Sequence, residues 1–469
     1  MKRFKISILF LASLLFMVSC DKDFEEINTD PNNPVLVPSH LLIPSAVRLY
    51  QNRMNSTFTG GDMGSCWAQH YAKAQYNNEP RYIPRLGVIR SIWNDFYAVG
   101  ISDAVSMYKL AEAEGNDNMK AVSLTLQAYG YSVLTDMYGD IPFSEAIKGD
   151  DGNFTPKYDT QQEVYTGVLA MLTQANSLYG SGTIDSTSDI LYAGDASKWK
   201  KFANSLKFRS LMRISGQVSV GGDLQALVNA GNMFGSNDDE AKLVYLTADP
   251  SANPLYETVV FGSRAEWKVN SEIVDRMLLS DDPRLPQYAQ VNDADIYRGK
   301  PSGIINVPND EYSYANVSAI GEFYLRPEAP GFFMSNAELH FLMAEAAQKG
   351  YISGSASAHY DAGIAASFEA NEVSDNGYMA ANALNTPTAL QQIGTQKWFA
   401  LYGQGVEAWT EWRRVGYPAL SPALEGDINE IPSRYTYPTT EVSINGVNYD
   451  AAVAAQGTDN LTTKVWWNK

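Results

Sequence analysis

The sequence predicts a mainly α-helical fold, one large domain in which paired helices alternate with long irregular loops, and three observations lead there. Apolar residues recur at i, i+3, i+4 and i+7 through much of the chain, the spacing that lines one face of a helix. Hydrophobic residues fill 45% of 469 positions, ample for a packed core and incompatible with a mainly disordered chain. Between the periodic blocks, at 60–87, 139–158, 248–267, 281–331 and 416–461, Pro, Gly, Asn, Asp and Tyr accumulate, as they do in loops and short strands.

The first helical stripe is Ile89, Ile92, Trp93 and Phe96. Val122, Thr125, Leu126 and Tyr129 form a second, Val164, Val168, Met171 and Leu172 a third, and Trp199, Phe202, Ala203 and Leu206 a fourth. Ser335 with Glu338 reads as a capping box opening a helix whose buried face is Leu339, Leu342, Met343 and Ala346 and which ends near Gly350. A partner helix is expected over Ser355–Glu369. Helix pairs near 89–138, 160–215 and 335–370 read as TPR-like hairpins, although no self-similarity holds at a strict period of about 34 residues. Loops this long inside a compact body usually carry a task, because binding residues concentrate on loops held by a rigid scaffold.

The amino terminus is read separately. Lys2, Arg3 and Lys5 precede an apolar run, Ile6–Val18, that as a helix reaches only about 20 Å against the roughly 30 Å of a hydrocarbon core. It reads as a secretory signal over 1–19. The following Met17-Val18-Ser19-Cys20 is similar to a bacterial lipobox, in which Cys20 is acylated after cleavage, each buried methylene contributing about 0.8 kcal/mol to anchoring. Residues 20–38, polar and with Pro31, Pro34 and Pro38, read as a flexible tether, and 39–469 as the body. The acidic run Asp21, Asp23, Glu25 and Glu26 is similar to the export signal of surface lipoproteins and equally reads as a solvated linker. With Cys20 acylated, Cys66 has no partner for a disulfide and is expected as a small buried hydrophobe.

Composition narrows the function. The 53 acidic against 35 basic side chains leave a net charge of -18, which disfavours nucleic acid as a partner, since phosphate binding relies on Lys and Arg. Nucleotide, zinc-protease and serine-hydrolase signatures are absent. His40, His70, His340 and His359 are scattered and read as core or surface residues. No cofactor is indicated. Asp150-Asp151 and Asp293-Ala294-Asp295 offer oxygens to a structural calcium ion but lack the EF-hand spacing. A pair of carboxylates suited to glycoside hydrolysis is compatible with so many acidic residues, but nothing nominates one.

Aromatic clusters carry the positive signal. Trp67, His70, Tyr71, Tyr76, Asn77, Asn78, Arg81 and Tyr82 mix flat faces with fixed polar groups, and so do Tyr312, Tyr314, Phe323, Tyr324 and Arg326. Sugars suit that mixture, stacking a C–H face on a ring while amides and guanidinium groups bind hydroxyls. The candidate ligand-binding residues are Trp67, Tyr71, Tyr76, Asn77, Arg81, Tyr82, Tyr324 and Arg326. Trp67 and Tyr71, four apart, read equally well as core residues of one helix. Trp409 and Trp412 beside Arg413 and Arg414, and Trp466 with Trp467, read as packed structural motifs or partner contacts.

Several segments together resemble the SusD/RagB family of outer-membrane nutrient-binding lipoproteins, in its SusD-like branch. They are Cys20 with its lipobox, Asn28-Thr29-Asp30-Pro31-Asn32, Tyr138-Gly139-Asp140-Ile141-Pro142-Phe143-Ser144-Glu145-Ala146 and Asp282-Pro283-Arg284-Leu285. They continue with Ser335-Asn336-Ala337-Glu338-Leu339, Met343-Ala344-Glu345-Ala346, the run from Gln396 to Gly405, Glu407-Ala408-Trp409-Thr410-Glu411-Trp412-Arg413-Arg414 and Lys464-Val465-Trp466-Trp467. The resemblance implies a helical body with TPR-like hairpins, lipid-anchored to the outer membrane and facing outward. It implies a SusC-like TonB-dependent β-barrel as partner, over which the lipoprotein acts as a lid. It also implies capture of oligosaccharides or, as in RagB-like members, peptides, without catalysis.

Overall fold

The computed structural model describes residues 37–305 and 311–469; the signal segment, Cys20 and the tether up to residue 36 lie outside it. Helices predominate. Helix α1 (Ile43–Met54) leads into a π-helical stretch, Thr57–Ser65, and α2 (Leu86–Asp95), α3 (Ser102–Glu114) and α4 (Asp117–Tyr138) follow. Next come α5 (Gln161–Leu178), α6 (Ala196–Ile214), α7 (Gly221–Ala230) and α8 (Ser271–Leu279). The last are α9 (Asn336–Gln348), α10 (Ala356–Ala370), α11 (Ala389–Ala400), α12 (Gly405–Val415) and α13 (Gly446–Gln456).

Successive helices pack as hairpins, α3 on α4, α4 on α5, α5 on α6 and α9 on α10, as the periodicity predicts. All four stripes face inward, with only Met171 partly exposed. Helix α4 is buried almost all round, because neighbours pack against it from several sides. Gly130 permits one of these approaches: a Cβ there would lie 2.4 Å from the Tyr50 hydroxyl. A smaller cluster including Phe341, Tyr360, Ile364, Phe368 and Ile393 joins α9, α10 and α11.

The capping prediction at Ser335 holds in half. Its hydroxyl accepts from the Glu338 N–H at 3.2 Å, but the Glu338 carboxylate turns inward toward Arg209, 3.5 Å away, instead of returning to the cap. A complete box forms at Thr160 and Glu163, at the head of α5. The stretch 416–461, expected as loop, contains α13.

Three two-stranded antiparallel ladders complete the fold: β1 (Tyr71–Lys73) with β5 (Trp267–Val269), β2 (Ile141–Pro142) with β3 (Tyr158–Asp159), and β4 (Ala241–Leu243) with β6 (Gly331–Met334). No described helix is long and apolar enough to cross a membrane.

A buried charge network ties α4, α6, α9, α11 and α12 together. Arg213 meets Asp136 at 3.1 Å and also pairs with Glu407 and Glu411; Arg414 meets Glu345 at 2.5 Å and Glu411 at 2.8 Å; Lys397 pairs with Glu411. Burial raises the Glu345 carboxyl, yet Arg414 and Lys397 outweigh it and hold the group well below the usual carboxylate range. Glu338, where burial is only partly offset by Arg209, is pushed up. Arg413 lies over Trp409, 3.8 Å from its ring centre, and the Trp467 indole donates to Asp136 at 2.8 Å. These Trp and Arg residues are therefore structural packing, one of the two alternatives the sequence left open.

Candidate functional site

The site begins with β1 and β5, which set Ala72 opposite Lys268 and Lys73 opposite Trp267. Beneath them lies a buried ionic knot. Lys73 meets Asp62 at 3.0 Å and Glu79 at 3.4 Å, while the Trp267 indole donates to Asp62 at 2.8 Å. Burial outweighs Lys73 and pushes the Asp62 carboxyl up to about 6.

This knot fixes both ends of the loop from Ala74 to Tyr82. The Ala74 N–H donates to the Glu266 carbonyl at 2.7 Å, the Trp67 indole to the Glu79 carbonyl at 2.9 Å, and the Arg81 Nε to the Glu425 carbonyl at 2.6 Å. So pinned, the loop holds Tyr76 at φ +57°, uncommon for a bulky residue, with its side chain 57% exposed.

A second ring arrives from far along the chain. Tyr314, 43% exposed, donates through its hydroxyl to Gln75 Oε1 at 3.2 Å. The Lys268 ammonium lies 5.2 Å from the centre of its ring and donates to its carbonyl at 3.3 Å. Arg264 lies 5.8 Å from the Tyr76 ring centre and is paired with Glu266. Burial lowers the Lys268 ammonium, with Asp293 acting in the opposite direction. The outcome is an exposed ledge with two tyrosine faces, the Gln75 amide and the partly exposed Arg264, set over buried Lys268 and Glu266.

The structure distributes the sequence candidates unequally. Tyr76 stands on the ledge and Asn77 beside it in the same loop, half-buried, with a buried Oδ1 that has no hydrogen-bond partner among the described residues. Arg81 is half-buried and spent on Glu425. Trp67, Tyr71 and Tyr82 are corrected: they are core residues, 0%, 2% and 1% exposed. Trp67 is packed edge-on to Trp409 and Tyr435, Tyr71 edge-on to Tyr402, and the Tyr82 hydroxyl accepts from the Ala423 N–H at 2.8 Å. Tyr324 and Arg326 line a separate cleft, away from the ledge residues.

Arg264 and Glu266 escaped the sequence reading because 248–267 looked like an undifferentiated loop, Lys268 because it directly follows that stretch, and Gln75 because the rings beside it drew the reading. The alternation of charge and ring in Arg264-Ala265-Glu266-Trp267-Lys268 was the available signal.

His70, its ring tilted against Trp398 at a centroid distance of 4.6 Å, is pushed down to about 3 by burial and is neutral at physiological pH. Among the described residues no group of three or more His, Cys, Asp or Glu is placed to hold a metal ion.

Comparison with known proteins places the chain. Residues 31–438 match the SusD-like family model described as "Starch-binding associating with outer membrane". A search of curated proteins finds no match. Among solved structures, a chitin-binding protein is 29% identical, with 91% of this chain and 97% of that one aligned at a TM-score of 0.79. A chitin-binding SusD homolog from Flavobacterium johnsoniae is 26% identical over 93% and 96% of the two chains, with a TM-score of 0.78. A SusD homolog from Bacteroides uniformis shares the fold at 24% identity and a TM-score of 0.81, over 92% of this chain and 98% of that one. The chain belongs to the SusD-like family of outer-membrane nutrient-binding proteins.

Proposed function

We propose that this protein is a surface lipoprotein, anchored through Cys20, that captures oligosaccharide on the Tyr76–Tyr314 ledge and passes it unaltered to a SusC-like TonB-dependent β-barrel. One observation carries the reading: two exposed tyrosines from distant segments are linked through the bond of Tyr314 to Gln75, the neighbour of Tyr76, and each ring is held near a cation, Arg264 or Lys268. Rings of this kind contribute about 0.5–1.5 kcal/mol each beyond the area they bury, so affinity is modest. Capture for a transporter needs no more, because the ligand must be released.

Two relatives whose descriptions name chitin make oligomers of N-acetylglucosamine the first ligand to test, with starch oligosaccharides beside them. Calorimetry on the mature protein should show saturable binding to one of these glycans, abolished in the Tyr76→Ala, Tyr314→Ala double variant. Equal binding by that variant rejects the ledge. Mass spectrometry of co-purified ligand separates glycan from the peptide that RagB-like members carry, and release of shortened products from a polysaccharide panel reveals an enzyme instead. Cys20→Ala should move the protein out of the membrane fraction; persistence there contradicts the anchor.

A further inference from the structure

The cleft that takes Tyr324 and Arg326 away from the ledge is a site in its own right. It has a volume of about 250 Å³, near the lower end of the roughly 300–1,000 Å³ of small-molecule sites, and lies where β4, β6, α10 and the turn into α12 meet. Its apolar wall is Phe323, Phe332, Pro330, Ala370 and Val244, and Val244 is 58% exposed.

The polar groups on this wall are already engaged. The Tyr324 hydroxyl donates to Asn371 Oδ1 at 2.8 Å, and Asn371 Nδ2 donates to the Ser367 carbonyl at 2.8 Å. Ser335 caps α9. The cations are neutralised in place: Lys242 meets Glu240 at 3.0 Å, and Arg326, stacked 3.9 Å over Phe323, meets Glu372 at 3.4 Å. Gln404 is the exception, since its side-chain amide makes no hydrogen bond among the described residues.

On the open ledge, hydroxyls that find no partner keep their water, whereas in this recessed cleft, with balanced charge and engaged dipoles, the groups of an anion or a polyhydroxylated sugar would lose water without finding partners. The cleft repays apolar area, with one amide left to orient the occupant. We propose that this cleft is a second binding site, for a small neutral molecule with an aromatic or branched aliphatic body and one hydrogen-bonding group that pairs with Gln404. The inference stands independently of the ledge.

N-phenyl-1-naphthylamine, neutral and aromatic with a single N–H, is the probe. Titrated into the mature protein, it should give a saturable fluorescence rise with one molecule bound per chain. Ala370→Trp, at the exposed end of α10, fills the cleft, and Val244→Glu puts a charge at its mouth. Each should weaken binding by at least about tenfold. The Tyr76→Ala, Tyr314→Ala variant should bind the probe unchanged, and glycan on the ledge should not displace it. Circular dichroism identifies any variant that fails to fold, and the two cleft substitutions serve as checks on each other. Absence of saturable binding, equal binding by folded Ala370→Trp and Val244→Glu, or loss of binding in the ledge variant overturns the proposal.

Discussion

Trp67 and Tyr76 belong to one short stretch of sequence and have similar chemistry, yet one is sealed in the core and the other stands in solvent. Trp67 is enclosed by Trp409 and Tyr435, with its one polar atom donated to a backbone carbonyl. Tyr76 is lifted outward by a backbone in the left-handed region, on a loop tied at both ends. The buried ring holds the loop, and the loop presents the exposed ring. Aromatic density in a sequence therefore marks a region where support and recognition coexist, without saying which ring does which.

Removing the support should have the largest effect. Trp67→Ala is expected to cost about 3–5 kcal/mol in urea unfolding, through the cavity and the unpaired Glu79 carbonyl. A loss below 1 kcal/mol or so would mean that Trp67 is not the anchor described.

The ionic knot between the two rings is tested by pH. Asp62 is raised in the folded protein from 3.8 to about 6, so its contribution to stability is fully present below pH 4 and is lost as pH rises through 6. The stability of the native protein relative to Asp62→Asn should fall across that window by up to about 1.4 kcal/mol per pH unit. Parallel profiles for the two proteins would rule out this account of Asp62.

On the ledge the signature reverses. Tyr76→Ala and Tyr314→Ala should each weaken glycan binding by about 0.5–1.5 kcal/mol in calorimetry, beyond the lost contact area, with the unfolding midpoint nearly unchanged. If either lowers stability as Trp67→Ala does, the division between support and recognition fails. The smallest effect is a control remote from both rings: Thr160→Ala removes the cap of α5 and should cost about 1 kcal/mol in unfolding without altering glycan binding.

Much of the scaffold was legible beforehand. The stripes of α2, α4, α5 and α6, the hairpin of α9 and α10, and the segments resembling SusD-like proteins follow from local periodicity and from residues close in sequence. Helices α11 to α13 were less legible: nothing local marks Lys397 and Glu411 as buried until they complete the network with α6 and α9, and α13 lies in a stretch expected as loop. Half of the Ser335 capping box failed for the same reason, since Arg209, distant in sequence, competes for Glu338.

Sequence by itself determined the helical stripes of α2, α4, α5 and α6, the pairing of α9 with α10, the acidic charge of the chain, and that rings cluster near 67–82 and 312–326. Only the tertiary structure decided that Tyr76 and Tyr314 share a surface, that Trp67, Tyr71 and Tyr82 lie beneath it, and that Tyr324 and Arg326 face another cleft. Helical periodicity is a property of neighbours along the chain, whereas the exposure of a ring depends on which remote segments cover it, and that is settled only when the whole core closes.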